Sequence, residues 1–242
     1  MRAILVRVGV DQAYGGWNAP VDPSSGEFVF VPIPDGKQKV YTPKMARGYD
    51  EIGRPLADFA LAHRAPNLHL PDSLTKRMMH LDPDFENLTY GDNGSVRGAG
   101  IATLGPGDLL VFYAGLRSIA PPRPLVYALI GLFVIQAVLR ATEVPPNRRH
   151  ENAHTRWKPI TEKDVVVRGL PSASGRFDRC IRIGEWRDGA YRVTKSIERG
   201  WGGLRVKNGF IQRSAVPPEL GEASKFYAWF EQQGVTLMQR NN

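Results

Sequence analysis

Apolar residues along the chain form two kinds of pattern, and each predicts a different element. Residues 109–114 (LLVFYA) and 125–139 (LVYALIGLFVIQAVL) are near-continuous apolar runs. The second run is interrupted only by Gln136 and falls short of the ~20 residues a membrane-spanning helix needs. Its content of Val, Ile, Tyr and Phe, with Gly131 in the middle, predicts a buried strand that runs on past a bend. Shorter runs predict strands at 2–10, 27–33, 164–168, 179–183 and 190–193. Helical spacing appears instead at Tyr49, Ile52, Leu56, Phe59 and Ala60, which predicts a helix over 48–65. A short helix opens at Pro71-Asp72 and runs to about Met79, and the stripe Phe226, Trp229, Phe230 places another over 222–233.

Turn-forming residues separate these segments. The loop Asp11–Pro20 contains two glycines, which allow positive φ or a close backbone approach. Residues 80–91 are polar, aromatic and proline-containing, and are expected to form a loop. The glycines of 98–107 do not make a dinucleotide fingerprint, because Thr103 takes the third glycine position. No internal repeat, low-complexity tract or linker appears, so residues 1–242 are expected to be a single α+β domain.

Charge and cysteine content narrow the function. With 32 Lys and Arg against 24 Asp and Glu, the chain carries a net charge of +8, which favours a polyanionic partner such as nucleic acid. Apolar residues make up 42% and charged residues 23%, which argues against wholesale disorder. One cysteine, Cys180, excludes an internal disulfide framework and Cys-rich metal sites, and suits a reducing, cytoplasmic setting. The first eight residues are too short an apolar run for a signal peptide and read as a strand. No membrane segment is expected.

Two stretches carry a resemblance. Leu104-Gly-Pro-Gly-Asp-Leu-Leu-Val-Phe-Tyr-Ala-Gly115, followed by Leu125–Ile135, resembles the PUA-like superfamily in its EVE and ASCH branches. That likeness implies a mixed β-barrel with flanking helices and a cleft that Tyr113 faces. Over nearly its full length the chain also looks like the third type of nucleotide modification associated domain. The carrying stretches are Val6–Pro20, His80–Asp92, His150–Arg156, Trp201–Leu204 and Gly209–Ala215. This family occurs in bacteria and phages beside machinery for hypermodified DNA bases. The resemblance therefore implies DNA carrying modified bases as a partner, other DNA-modification proteins as company, and a setting in restriction-modification or phage defence. It implies no cofactor. The reaction it suggests is hydration of the nitrile of 7-cyano-7-deazaguanine in DNA to the amide. A non-catalytic reader of modified bases remains the alternative.

Within those stretches the candidate chemistry is specific. His80 and Asp82 can supply acid–base groups, as can Glu151 and His154. Cys180, between Arg179 and Arg182, can act as a thiolate if those arginines depress its pKa; a small core residue is the plainer reading. Asp11, Tyr14, Gly16, Trp17 and Asn18 suit stacking on a base and reading its edge, and Tyr113 and Asn152 are placed beside them. Arg156 and Arg213 are candidates for phosphate. His150-Glu151-Asn152-Ala153-His154 matches the zinc-protease string H-E-x-x-H, but flanking prolines and the lack of an apolar stripe argue against a core zincin helix. No metal ligand set is assigned from the sequence.

Overall fold

The computed structural model describes residues 1–11, 16–36, 39–95, 97–212 and 216–242. The amino-terminal part holds β1 (Ala3–Arg7), β2 (Pro20–Val21), β3 (Ile33–Pro34), β4 (Val40–Tyr41), β5 (Met79–His80) and β6 (Thr89–Asn93). Helices α1 (Asp50–Ala62) and α2 (Asp72–Thr75) lie between β4 and β5. Two long strands follow, β7 (Leu109–Ser118) and β8 (Leu125–Arg140). After them come β9 (Trp157–Lys158), β10 (Asp164–Gly169), β11 (Gly175–Arg182), β12 (Gly184–Arg187) and β13 (Ala190–Val193). Helices α3 (Lys195–Gly200) and α4 (Ala223–Glu231), then β14 (Leu237–Met238), end the description.

The main sheet runs β1-β7-β8-β10-β6. β1 lies parallel to β7, whereas β7–β8, β8–β10 and β10–β6 are antiparallel. One edge of β8 pairs with β7; the other is shared, by β11 near residues 128–132 and by β10 over 135–140. Small ribbons β3–β5, β4–β9 and β12–β13 surround this frame. The α+β expectation holds. The described strands do not close into a barrel, however, because β1 and β6 end the path without pairing to each other.

Each face of the sheet has its own core. Along β7, Leu110, Phe112, Ala114 and Leu116 point to one side, where they meet Phe30, Phe85 and Phe133. Leu109, Val111 and Tyr113 point to the other, toward Phe177, Trp201 and Phe226. This is the two-residue period of a strand with both faces covered, which is why the sequence reads as an unbroken apolar run. Burying each such side chain is worth about 1.5–3 kcal/mol.

β8 shows why Gly131 stands in the middle of the second run. Before it, Ala128 and Ile130 belong to the first core; after it, Phe133 and Ile135 do. The phase inverts at a bulge, where Phe112 pairs with Gly131 and Tyr113 with Leu129. A Cβ on Gly131 would sit 2.5 Å from the Phe85 ring and 2.9 Å from the Gly175 carbonyl. Only a residue without a side chain lets Phe85 seat there.

Elsewhere the pattern reading needs correction. Residues 28–31 are buried as their apolar content requires, but they make an isolated bridge from Phe28 to Val21 and form no regular strand. The supposed loop 80–91 carries the end of β5 and the start of β6. The helix at 50–62 appears where its spacing placed it, burying Ile52, Leu56 and Phe59, with Asp50 and Glu51 in its first turn, where acidic groups suit the helix dipole. No helix among the described residues is long and apolar enough to cross a membrane.

Candidate active site

Four short elements meet at the β6 edge of the sheet. β5 pairs with β3 and presents His80. β9 pairs with β4 and presents Trp157. His154 stands on a single 3-10 turn, residues 153–155, whose preceding residue Asn152 caps it by accepting the His154 backbone N–H at 2.9 Å. Asp82 lies between β5 and β6, and its two carboxylate oxygens both accept the Gly91 N–H, at 2.9 Å each. His80, His154 and Trp157 line an open cleft of about 910 Å³, whose walls also include Ile33, Pro34, Lys39 and Pro159, while Asp82 itself is buried.

The two imidazoles are held in the same way. His80 Nδ1 lies 2.9 Å from an Asp35 oxygen, and His154 Nδ1 lies 2.9 Å from an Asp164 oxygen. Each carboxylate has a second anchor. The Tyr41 hydroxyl donates to Asp35 at 2.6 Å, and the Asn93 side-chain amide donates to Asp164 at 3.3 Å. Asn93 and Asp164 are register partners across β6 and β10, so the sheet itself aims the His154 ring. Both Nε2 atoms then face one oxygen, Asp82 Oδ2, at 3.7 Å.

The electrostatics follow from burial. Burial pushes the Asp82 carboxyl well above the ordinary carboxylate range, although the bonds from Gly91 pull the other way. Burial also pulls the His80 imidazole below its ordinary value, against the hydrogen bond to Asp35. For Asp164, burial raises the carboxyl, but the bond and charge of His154 outweigh it and the net shift is downward. The His80 ring stacks on Trp157 at 5.4 Å between centroids, and the Lys39 ammonium covers the Trp157 ring at 3.3 Å. His80, Asp82 and His154 form the group, among the described residues, that can hold a metal ion.

The other sequence candidates go elsewhere. Glu151 pairs with Arg148 at 2.9 Å and with Arg168 at 2.5 Å, bonds that draw its carboxyl below the ordinary range against the effect of burial. His150 is exposed. The H-E-x-x-H string is not helical: 3-10 turns at 146–151 and 153–155 are broken by Asn152 in an extended conformation (φ −139°, ψ 144°). Asn152 is buried and serves as the cap on His154; its amide donates to Thr89 at 3.3 Å. Arg156, expected at a phosphate, is buried against Asp84 at 2.6 Å and also donates to the His150 carbonyl.

Tyr113 does not face a cleft. It is fully buried in the second core, and its hydroxyl donates to the Ile211 carbonyl at 2.8 Å. Asp11 is buried in an ion pair with Arg7. Gly16, Trp17 and Asn18 border a different cavity of about 490 Å³, with Arg64, Arg117 and Arg123, and Asn18 donates to the Gly115 carbonyl at 2.7 Å. Cys180 is partly buried on β11, packed on the first core, and burial pushes its thiol up to about 12. A thiolate there is disfavoured, because the flanking arginines do not offset the loss of solvent. Tyr14 and Arg213 lie outside the described residues. Among the described residues, those of 11–18, Tyr113 and 150–156 do not line one common cleft; His80, Asp82 and His154 converge without the rest.

A profile of the family described as nucleotide modification associated domain 3 matches residues 2–200. The chain belongs to this family. No curated protein and no solved structure gives a significant match. The nucleotide modification associated domain 3 match takes in every residue of the His80–Asp82–His154 site and connects the chain with nucleotide or DNA modification. Sequence reasoning missed four members of this family chain's site: Asp35, Lys39, Trp157 and Asp164. Asp35 sits in Pro34-Asp35-Gly36, which reads as a turn, and Asp164 opens a strand. Their spacing to His80 and His154 carries no periodic signal, so only the fold could reveal them.

Proposed function

We propose that this protein is an enzyme that modifies a nucleobase held in the cleft beside His80, Asp82 and His154. The observation that carries this reading is the convergence of two oriented imidazoles, both lining a cleft, on one buried carboxylate. Buried titratable clusters in concave sites of this kind are where catalysis concentrates. Ile33, Pro34 and Pro159 give the cleft the apolar walls that a base requires, and Lys39 brings positive charge to the same place. The net charge of +8 favours a nucleic-acid substrate.

Within that class, hydration of a base nitrile, as in 7-cyano-7-deazaguanine within DNA, agrees with the family's setting and with the site. The oxygen of an activated water bonds to the nitrile carbon as one carbon–nitrogen π bond breaks. Its proton passes to the nitrogen, and tautomerisation gives the amide. Such a reaction needs a place where water is both held and made nucleophilic, and the point between the two imidazoles and Asp82 offers one. DNA containing 7-cyano-7-deazaguanine, incubated with the protein and digested to nucleosides, should show that base heavier by one water. Unchanged mass with retained binding would instead make the protein a reader of modified bases. His154→Ala should abolish the mass change while leaving binding intact.

A further inference from the structure

We propose that His80, His154 and Asp82 are the three protein ligands of a mononuclear zinc-type centre whose fourth position opens on the cleft. Both Nε2 atoms lie 3.7 Å from the same Asp82 oxygen, and the three ligand atoms all lie within 4.8 Å of one another. A carboxylate, Asp35 or Asp164, holds each imidazole at Nδ1, so that as a metal ligand the ring would keep its hydrogen there and offer Nε2. A separation of 3.7 Å is too long for a hydrogen bond between that nitrogen and Asp82. Two imidazole nitrogens and one carboxylate oxygen thus face one another without hydrogen bonding, an arrangement that a cation stabilises.

The spacing also speaks to the kind of cation. Metal bonds of about 2.1 Å in a tetrahedron put neighbouring ligand atoms about 3.4 Å apart, whereas a right-angled octahedral pair would lie about 3.0 Å apart. Closing each of the two 3.7 Å distances to the tetrahedral edge takes a shift of a few tenths of an ångström, and the third pair, the two imidazole nitrogens, already lies within 4.8 Å. Two histidines and one carboxylate with an open fourth position is the donor set of catalytic zinc sites. The outer carboxylates complete the pattern, since a ligating imidazole usually gives its other N–H to such a group. Zinc there would bring the pKa of a bound water to about 7 and supply hydroxide at neutral pH. The metal site stands on geometry alone; its part in hydrating a base rests on the reading above.

The full-length protein, stripped with a chelator and dialysed, can be titrated calorimetrically with zinc chloride and, separately, with cobalt(II) followed by visible absorption. We expect one equivalent of zinc and the intense d–d bands of four-coordinate cobalt. His80→Ala, His154→Ala and Asp82→Asn should each abolish stoichiometric binding. Asp35→Asn, which keeps all three ligands, should weaken it about 10–100-fold. His150→Ala, within the H-E-x-x-H string but outside the site, should bind as wild type. No uptake by the wild-type protein would overturn the proposal. So would loss of metal in His150→Ala with retention in His80→Ala, and weak six-coordinate cobalt bands would overturn the four-coordinate geometry. Zinc binding without any change in nucleoside mass would uphold the site and remove the hydration reaction. A mass change in chelated protein would do the reverse for the metal's role in catalysis.

Discussion

Gly91→Ala should disable the site while leaving the fold in place. A Cβ at this position would stand 2.4 Å from His154 Cδ2 and 2.7 Å from Asn152 Oδ1, where an ordinary contact needs at least 3.4 Å. Relief therefore demands that the His154 ring retreat by about 1 Å. It cannot do so freely, because Asp164 holds Nδ1 and Asn152 holds its backbone. Overpacking of this kind costs about 1–3 kcal/mol, less than a domain of ordinary stability commands. A misplacement of about 1 Å in a reacting constellation costs about 100-fold in rate, and a comparable loss of zinc affinity should accompany it. Thermal unfolding by circular dichroism, zinc calorimetry and nucleoside mass spectrometry on the same preparation separate the two effects. A Gly91→Ala protein with wild-type zinc affinity and turnover would refute the placement of His154 against β6.

Further outcomes follow from other residues. Arg156→Ala should lower stability by about 3–5 kcal/mol in urea unfolding, since it strands Asp84 as a buried unpaired carboxylate; an effect confined to the salt dependence of DNA binding would restore the phosphate role. Gly131→Ala should cost about 1–3 kcal/mol by driving a methyl group into the Phe85 ring, measured as a lower unfolding midpoint. Cys180 should alkylate slowly in the native protein at pH 8 and rapidly once unfolded. Because folding raises its pKa from 9.0 to about 12, its contribution to stability is complete below about pH 9 and is lost as the pH rises toward 12; a Cys180→Ala protein with the same alkaline stability profile would count against this.

The sequence made some of this legible and not the rest. β7 and β8 stand out because strands covered on both faces are apolar at every position, and α1 because its buried residues recur at helical spacing. Residues 27–33 mislead for a related reason: burial made them apolar, yet the backbone N–H of Phe30 is taken by the side chain of Asn242, a partner no local pattern announces. His80, Asp82 and His154 were visible as reactive residue types. Their union was not, because it depends on two ribbons and a sheet edge joining segments some seventy positions apart. The H-E-x-x-H string shows the converse. Its residues match a motif, but the extended Asn152 breaks the continuous helix that would give the match meaning.

β8 has a consequence for how the molecule comes apart. The first core lies on one of its faces and the second on the other, while β7, β10 and β11 each hydrogen-bond to it along one edge or the other. Neither core can melt alone without stripping partners from the strand that braces the other. Two hydrophobic clusters should therefore unfold as one cooperative unit, with the amides of β8 exchanging with solvent only through global opening. The short ribbons that carry His80 and Trp157 form no ladder with that sheet, and Met79 of β5, packed in the first core, ties the site to the cooperative unit.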